Sequence, residues 1–212
     1  MRQVVCMITD RLRLGEAADA ALVRRVALAA RAGIHLVQIR ERDMPDGALA
    51  RLVAAAVAAT HRTRTRILVN DRLDVAIAAG AHGVHLRADS VPARRARLVA
   101  PPGFLIGRSV HSPDEAARAC REGGLDYLLF GTVFPTASKP GQLASGVAGL
   151  SEVVAAARTL PVLAVGGITT GTVRQLAGSG CAGCAAISLF ADGPEAELSK
   201  TVTDVLMPWE NQ

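Results

Sequence analysis

The sequence predicts an α/β protein folded as a single (β/α)8 barrel, one TIM-barrel domain over residues 1–212. Three observations carry this. Eight short apolar runs recur along the chain. The stretches between them place apolar residues at helical spacing. No Gly-x-Gly-x-x-Gly follows the first run, where a doubly wound dinucleotide-binding sheet would want it. Regular alternation of strand and helix means parallel pairing through right-handed crossovers. Eight such units in roughly 200 residues sit at the compact limit of the closed barrel.

The strands are expected at residues 4–9, 35–40, 67–70, 83–86, 104–109, 127–130, 161–165 and 184–188. Half the residues are hydrophobic but only 3% are aromatic, so Ala, Val, Leu and Ile must fill a core of strands buried on both faces. After the second run, Leu49, Leu52, Val53, Ala56 and Val57 recur at i, i+3, i+4, i+7 and i+8, which is one face of a helix. Ser112-Pro113-Asp114-Glu115 offers a capping serine, a proline at the first helical position and an acid that can close a capping box. Another helical pattern starts near Val147, and residues 194–205 close the series. Eight helices are thus expected to alternate with eight strands.

Composition narrows the function classes. No apolar run approaches the roughly 18 residues of a membrane span, and the apolar stretch at the start is too short for a secretory signal, so a cytoplasmic protein is expected. The net charge is +5, but the densest basic run, His61-Arg62-Thr63-Arg64-Thr65-Arg66, has no aromatic partners and reads as a solvated surface rather than a nucleic-acid site. A modest positive excess suits small phosphorylated substrates. Cys181 and Cys184 form a Cys-x-x-Cys with no second pair for zinc, and they precede an apolar strand rather than open a helix, so they read as buried small residues.

Working residues of such barrels lie at the C-terminal ends of the strands. The second strand ends in Gln38-Ile39-Arg40-Glu41-Arg42, and alternation sends Gln38, Arg40 and Arg42 one way. The third ends in Asn70-Asp71, the fourth runs from His85 to Ser90, and the fifth ends in Arg108-Ser109-Val110-His111. The sixth feeds a long loop carrying Thr136, Ser138 and Lys139, two hydroxyls and an ammonium that suit a phosphate monoester; the alternative is an ordinary polar loop. The seventh delivers Gly166-Gly167 and the eighth Ile187-Ser188, where barrels of this kind often seat phosphate; the alternative is a tight strand-to-helix turn. Asp71 is the best candidate magnesium ligand, because Mg²⁺ accepts one or two carboxylates completed by substrate phosphates and water. The competing reading is a capping aspartate for a helix at 72–79, and Asp89 and Ser90 carry the same ambiguity.

Together these segments resemble the thiamine phosphate synthase / TenI superfamily. The resemblance rests on Gln38-Ile39-Arg40-Glu41-Arg42, Asn70-Asp71-Arg72, Gly83-Val84-His85-Leu86, Gly107-Arg108-Ser109-Val110-His111, Asp126-Tyr127, Gly131-Thr132-Val133-Phe134-Pro135-Thr136 with Ser138-Lys139, and Gly166-Gly167-Ile168, in order over nearly the whole chain. It implies a synthase that joins hydroxymethylpyrimidine pyrophosphate to thiazole phosphate and releases pyrophosphate. By that resemblance Gln38, Arg40 and Asn70 hold the pyrophosphate and pyrimidine end, with Arg42 where the synthase usually has lysine. Asp71 binds Mg²⁺, Ser109 contacts the pyrimidine, Thr136, Ser138 and Lys139 line the pyrophosphate and thiazole side, and Gly167, Ile187 and Ser188 hold the thiazole phosphate. Relatives of this kind are often homodimers.

The chain departs from the synthase pattern after the fourth strand. There the synthase usually has Gly-Gln-Glu/Asp-Asp, ending in a second magnesium ligand; here the stretch is Arg87-Ala88-Asp89-Ser90, with Asp89 one residue early. That departure resembles the TenI-type thiazole tautomerases, which work without metal. Their catalytic histidine follows the glycine ending the sixth strand, where this chain has Thr132, leaving His85 and His111 as candidate bases and His35 as a scaffold residue. A binding protein for thiazole phosphate or thiamine phosphate without turnover is the third reading.

Overall fold

In the computed structural model, which describes residues 3–15, 18–136, 141 and 143–210 (backbone alone at 208–210), eight parallel strands close into a barrel in chain order. They are β1 (Val4–Ile8), β2 (Leu36–Ile39), β3 (Arg66–Asn70), β4 (Gly83–Leu86), β5 (Leu105–Val110), β6 (Tyr127–Phe130), β7 (Val162–Val165) and β8 (Gly183–Ala186). Pairing of β8 with β1, from Val4 opposite Gly183 to Met7 opposite Ala186, closes the ring and removes any sheet edge. Around it lie α1 (Ala18–Arg31), α2 (Asp46–Thr60), α3 (Leu73–Ala78), α4 (Ala93–Val99), α5 (Pro113–Glu122), α6 (Gly146–Ala157), α7 (Ser188–Ala191) and α8 (Leu198–Glu210). The expected barrel is the observed one.

The strand pleat sorts side chains into two cores. Cys6, Ile8, Leu36, Leu68, Tyr127, Leu129 and Leu163 cluster inside the barrel. Their neighbours in sequence, such as Met7, Val37, Ile67 and Leu128, pack outward against the helices. Burying one such side chain contributes about 1.5–3 kcal/mol. Tyr127 is a bulky exception in an interior of small and aliphatic residues. It fits because Gly107 stands opposite it in register: a Cβ on Gly107 would lie 2.0 Å from the Tyr127 ring.

Four expectations need correction. The seventh crossover holds no α-helix. It makes only a 3₁₀ turn at Val173–Leu176, because Thr169 and Thr172 bond each other's backbone and glycines at 171, 178 and 180 interrupt the stretch. β8 stops at Ala186, not at 188, because its neighbours end there; Ser188 instead opens α7. The final helix starts at Leu198, after a 3₁₀ turn at Glu195–Glu197. The α5 cap is half the expected box. Ser112 Oγ accepts from the Glu115 N–H at 3.1 Å, but the Glu115 carboxylate accepts from the His111 N–H, one residue before the capping serine.

Cys181 and Cys184 are buried, and burial pushes both thiols up, as befits packing residues. His61, Arg62, Arg64 and Arg66 are exposed. No helix among the described residues is long and apolar enough to cross a membrane.

Candidate active site at the barrel mouth

The wall begins with an amide pair. Gln38, on β2, is only 2% exposed, and its Nε2 donates to Asn70 Oδ1 on β3 at 3.0 Å. Its own Oε1 is buried with no partner among the described residues. A buried acceptor left unpaired costs about 1–3 kcal/mol, so this oxygen is a place where a donor from outside the chain would be favoured.

Arg40 and Arg42 do not share one environment, although alternation sends both the way of Gln38. Arg40 is half-buried, and its guanidinium has no hydrogen-bond or ion-pair partner among the described residues; burial, and then the charge on Arg42, weaken its hold on its proton. Arg42 is exposed and borders a cavity of about 190 Å³ with Asn70, Asp71 and Arg87. Glu41 points the other way into the core. It accepts from the Thr9 hydroxyl and from the Arg11 N–H (3.1 Å), while Thr9 Oγ1 accepts from the Arg40 N–H at 3.0 Å. Thr9, which the sequence did not single out, thereby ties the backbone of Arg40 to β1.

Asp71 takes φ +64°, a left-handed conformation that non-glycine residues seldom adopt and that tends to mark functional positions. Its N–H donates to the His85 carbonyl at 2.9 Å, which fastens the end of β3 to β4. The capping reading fails: the N-cap of α3 is Arg72, with no side-chain cap bond. Ser90 does not cap α4 either. Its hydroxyl accepts from the Arg87 N–H at 2.8 Å and donates to Asp71 Oδ1. Asp89 turns onto Arg87, accepting from Nε at 2.9 Å, and this pairing holds its carboxyl below the usual range. Arg87 in turn lies 3.6 Å from Asp71 Oδ2. As a donor set, one carboxylate and one hydroxyl on an open rim fit a small hard cation completed by phosphate oxygens. No three His, Cys, Asp or Glu side chains gather as a metal centre among the described residues.

Behind this rim, His85 is 1% exposed between two hydroxyls: Nδ1 is 2.9 Å from Tyr127 Oη and Nε2 is 2.9 Å from Ser109 Oγ. Burial, and then the charge of Arg108, push its imidazole down to about 3. It is therefore neutral at physiological pH and a poor base. His111 is exposed beside Glu115 (3.3 Å), and the His35 ring accepts from the Val5 N–H, a scaffold contact. Sequence reasoning passed over Tyr127 as a site residue. The signal was present in the pleat, since alternation sends His85, Ser109 and Tyr127 all inward.

Across the mouth, Thr132, Thr136, Gly166, Gly167, Ile187 and Ser188 line a cavity of about 80 Å³, the room of a few waters or one compact anion. Gly166 and Gly167 take φ +100° and +62°. A Cβ on Gly166 would meet Thr132 at 2.6 Å, and one on Gly167 would meet the Pro135 carbonyl at 2.5 Å. The glycines thus let the loop after β6 lie across the end of β7, and the same backbone floors the cavity. The N–H groups of Gly167 and Ile168 have no acceptor among the described residues. The turn reading holds, and the same geometry leaves room for an anion. Ser138 and Lys139 lie outside the described residues.

The chain matches the family described as thiamine monophosphate synthase over residues 5–190. A thiamine-phosphate synthase from Methanoculleus marisnigri is 41% identical over 182 residues, covering 84% of each chain. A putative thiamine-phosphate synthase from Geobacter sulfurreducens is 38% identical over 205 residues, 95% of this chain and 93% of that one. Among solved structures, thiamine phosphate pyrophosphorylase from Pyrococcus furiosus superposes with a TM-score of 0.84 at 30% identity, covering 99% of this chain and 96% of that one.

Proposed function

Because the chain belongs to the thiamine monophosphate synthase family, we propose that it condenses hydroxymethylpyrimidine pyrophosphate with thiazole phosphate, releasing pyrophosphate and forming thiamine phosphate. The observation that carries the reading is Gln38 Oε1, a buried acceptor at the barrel mouth with no partner among the described residues. The amino group of an aminopyrimidine is the donor it wants. Ser109, on the inner face of β5, is assigned a second contact to the same ring.

The chemistry needs no protein nucleophile. The bond from the pyrimidine methylene carbon to the pyrophosphate oxygen breaks, and the electron pair leaves with pyrophosphate. The resulting cation is stabilised by its own amino group, and the thiazole nitrogen lone pair then forms the new carbon–nitrogen bond. The chain's contribution is to hold both reactants in line and to stabilise the departing charge. Arg40, with its uncommitted guanidinium, and Lys139 are the cations assigned to the leaving group. Asn70 orients Gln38. The thiazole phosphate is assigned to Gly167, Ile187 and Ser188, with Thr136 and Ser138 between the two halves. Mg²⁺ is assigned to Asp71 with the Ser90 hydroxyl beside it, where it would offset negative charge on the pyrophosphate. Both substrates are small water-soluble phosphates, which suits a cytoplasmic enzyme.

The test is pyrophosphate release by the purified protein given both substrates and Mg²⁺, with thiamine phosphate identified as product. Mg²⁺-dependent turnover supports the assignment. Binding of thiazole phosphate with no pyrophosphate release would overturn it.

A further inference from the structure

Inside the barrel, Tyr127, His85 and Ser109 form a hydrogen-bonded row on three adjacent strands, β6, β4 and β5, with both links at 2.9 Å. We propose that Tyr127 and His85 are positioning residues that set the direction of this row, so that the Ser109 hydroxyl keeps its proton free to donate toward a ligand in the mouth. The inference rests on the functional reading above only for the identity of that ligand.

Tyr127 is 6% exposed, and its hydroxyl has one recorded partner among the described residues, His85 Nδ1. A buried hydroxyl proton left without an acceptor is costly, so the Tyr127 O–H donates to Nδ1. Nδ1 is then the acceptor nitrogen, and in a neutral imidazole the proton must sit on Nε2. Nε2–H donates to Ser109 Oγ. A serine hydroxyl carries a single proton and two lone pairs. With one lone pair engaged by His85, its proton is turned outward, and no other partner for it exists among the described residues. The opposite polarity would strand the Tyr127 proton in the barrel centre. An imidazolium would strand it too, and burial disfavours that form.

The tyrosine cannot escape the arrangement, because its ring fills the space left by Gly107. The row therefore works as a polarity filter. Gln38 Oε1, on β2 of the same inner face, can only accept, and the row presents a group that donates. A ring carrying an amino group beside an unprotonated ring nitrogen satisfies both. An isomer with the donor and acceptor exchanged leaves both the Gln38 acceptor and the Ser109 proton unmet.

Two-bond ¹⁵N–¹H correlation spectra of the ligand-free protein at neutral pH would read the tautomer of His85 directly. The expected pattern is neutral imidazole with its proton on Nε2; a proton on Nδ1, or on both nitrogens, overturns the proposal. Tyr127→Phe removes the fixed end, so the tautomer should shift toward Nδ1–H. The KM for the pyrimidine pyrophosphate should rise roughly two- to tenfold, the equivalent of one neutral hydrogen bond, with the KM for thiazole phosphate unchanged. An unchanged tautomer and unchanged KM in Tyr127→Phe would also overturn it. His85→Gln, which keeps an N–H toward Ser109, should retain a lower pyrimidine KM than His85→Leu. If the wild-type protein shows the Nε2–H tautomer but makes no thiamine phosphate, the row stands and the substrate assignment fails.

Discussion

The two halves of the barrel mouth are built from different materials. At the ends of β7 and β8 the cavity wall is mostly backbone: Gly166, Gly167 and the start of α7, with no charged side chain among its described lining residues. At the ends of β2, β3 and β4 it is side chains: Gln38 bonded to Asn70, Asp71 held by Ser90 and Arg87, and Arg42 on the rim. A backbone wall offers N–H groups whose direction is set by φ and ψ and which cannot titrate or swing away. A side-chain wall offers charge, but its geometry depends on which partners each group finds. The difference matches the proposed division of labour. A phosphate that only has to be held suits the first wall, and a pyrophosphate that must depart with an electron pair suits the second.

The contrast can be broken in four ways, starting with the largest effect. His85 has its folded-state pKa depressed to about 3 against an ordinary 6.5. The stability this represents is fully present above pH 6.5 and is lost as pH falls from 6.5 toward 3, at most about 5 kcal/mol by linkage. Urea unfolding across that window should show it, and His85→Gln should flatten the curve; equal slopes would deny that the barrel interior holds a neutral histidine. Next, Asp71→Ala should lower kcat by roughly 100-fold while the melting temperature barely moves, since this carboxylate caps no helix. A drop in melting temperature with kcat intact would make Asp71 a structural residue.

The backbone wall is probed by Gly167→Ala. The new Cβ would meet the Pro135 carbonyl at 2.5 Å with φ at +62°, so stability should fall by about 1–3 kcal/mol. The KM for thiazole phosphate should rise about tenfold or more, the worth of a charge-assisted hydrogen bond, with the pyrimidine KM steady. Equal rises in both KM values would erase the distinction between the two halves. The smallest effect concerns Arg87. Removing a half-exposed cation 3.6 Å from Asp71, as in Arg87→Gly, should lower the Mg²⁺ concentration for half-maximal activity by roughly two- to fivefold. A higher requirement would instead assign Arg87 to the leaving group.

Much of this was legible in the linear chain, for identifiable reasons. Barrel closure follows from the alternation of apolar runs with helical faces, because parallel strands buried on both sides leave little choice of topology. The positions of Gln38, Asn70, Ser109 and Gly167 follow from counting along the pleat to the end of each strand. The absence of an α-helix between β7 and β8 was less legible, since its short segment has apolar spacing that glycines and threonine-mediated turns override.

What only the tertiary structure decided is who pairs with whom. Asp89 resembles a metal ligand in sequence, yet it closes on Arg87 two residues away, while Ser90 reaches Asp71, which is 19 residues distant in the chain. Thr9 meets Glu41 across 32 residues, and His85 meets Tyr127 across 42. Residue type and spacing determine which strand end presents a group and to which face. Hydrogen-bond polarity and ion pairing depend on distances of a few ångströms between strands remote in sequence, and those distances exist only once the barrel has closed.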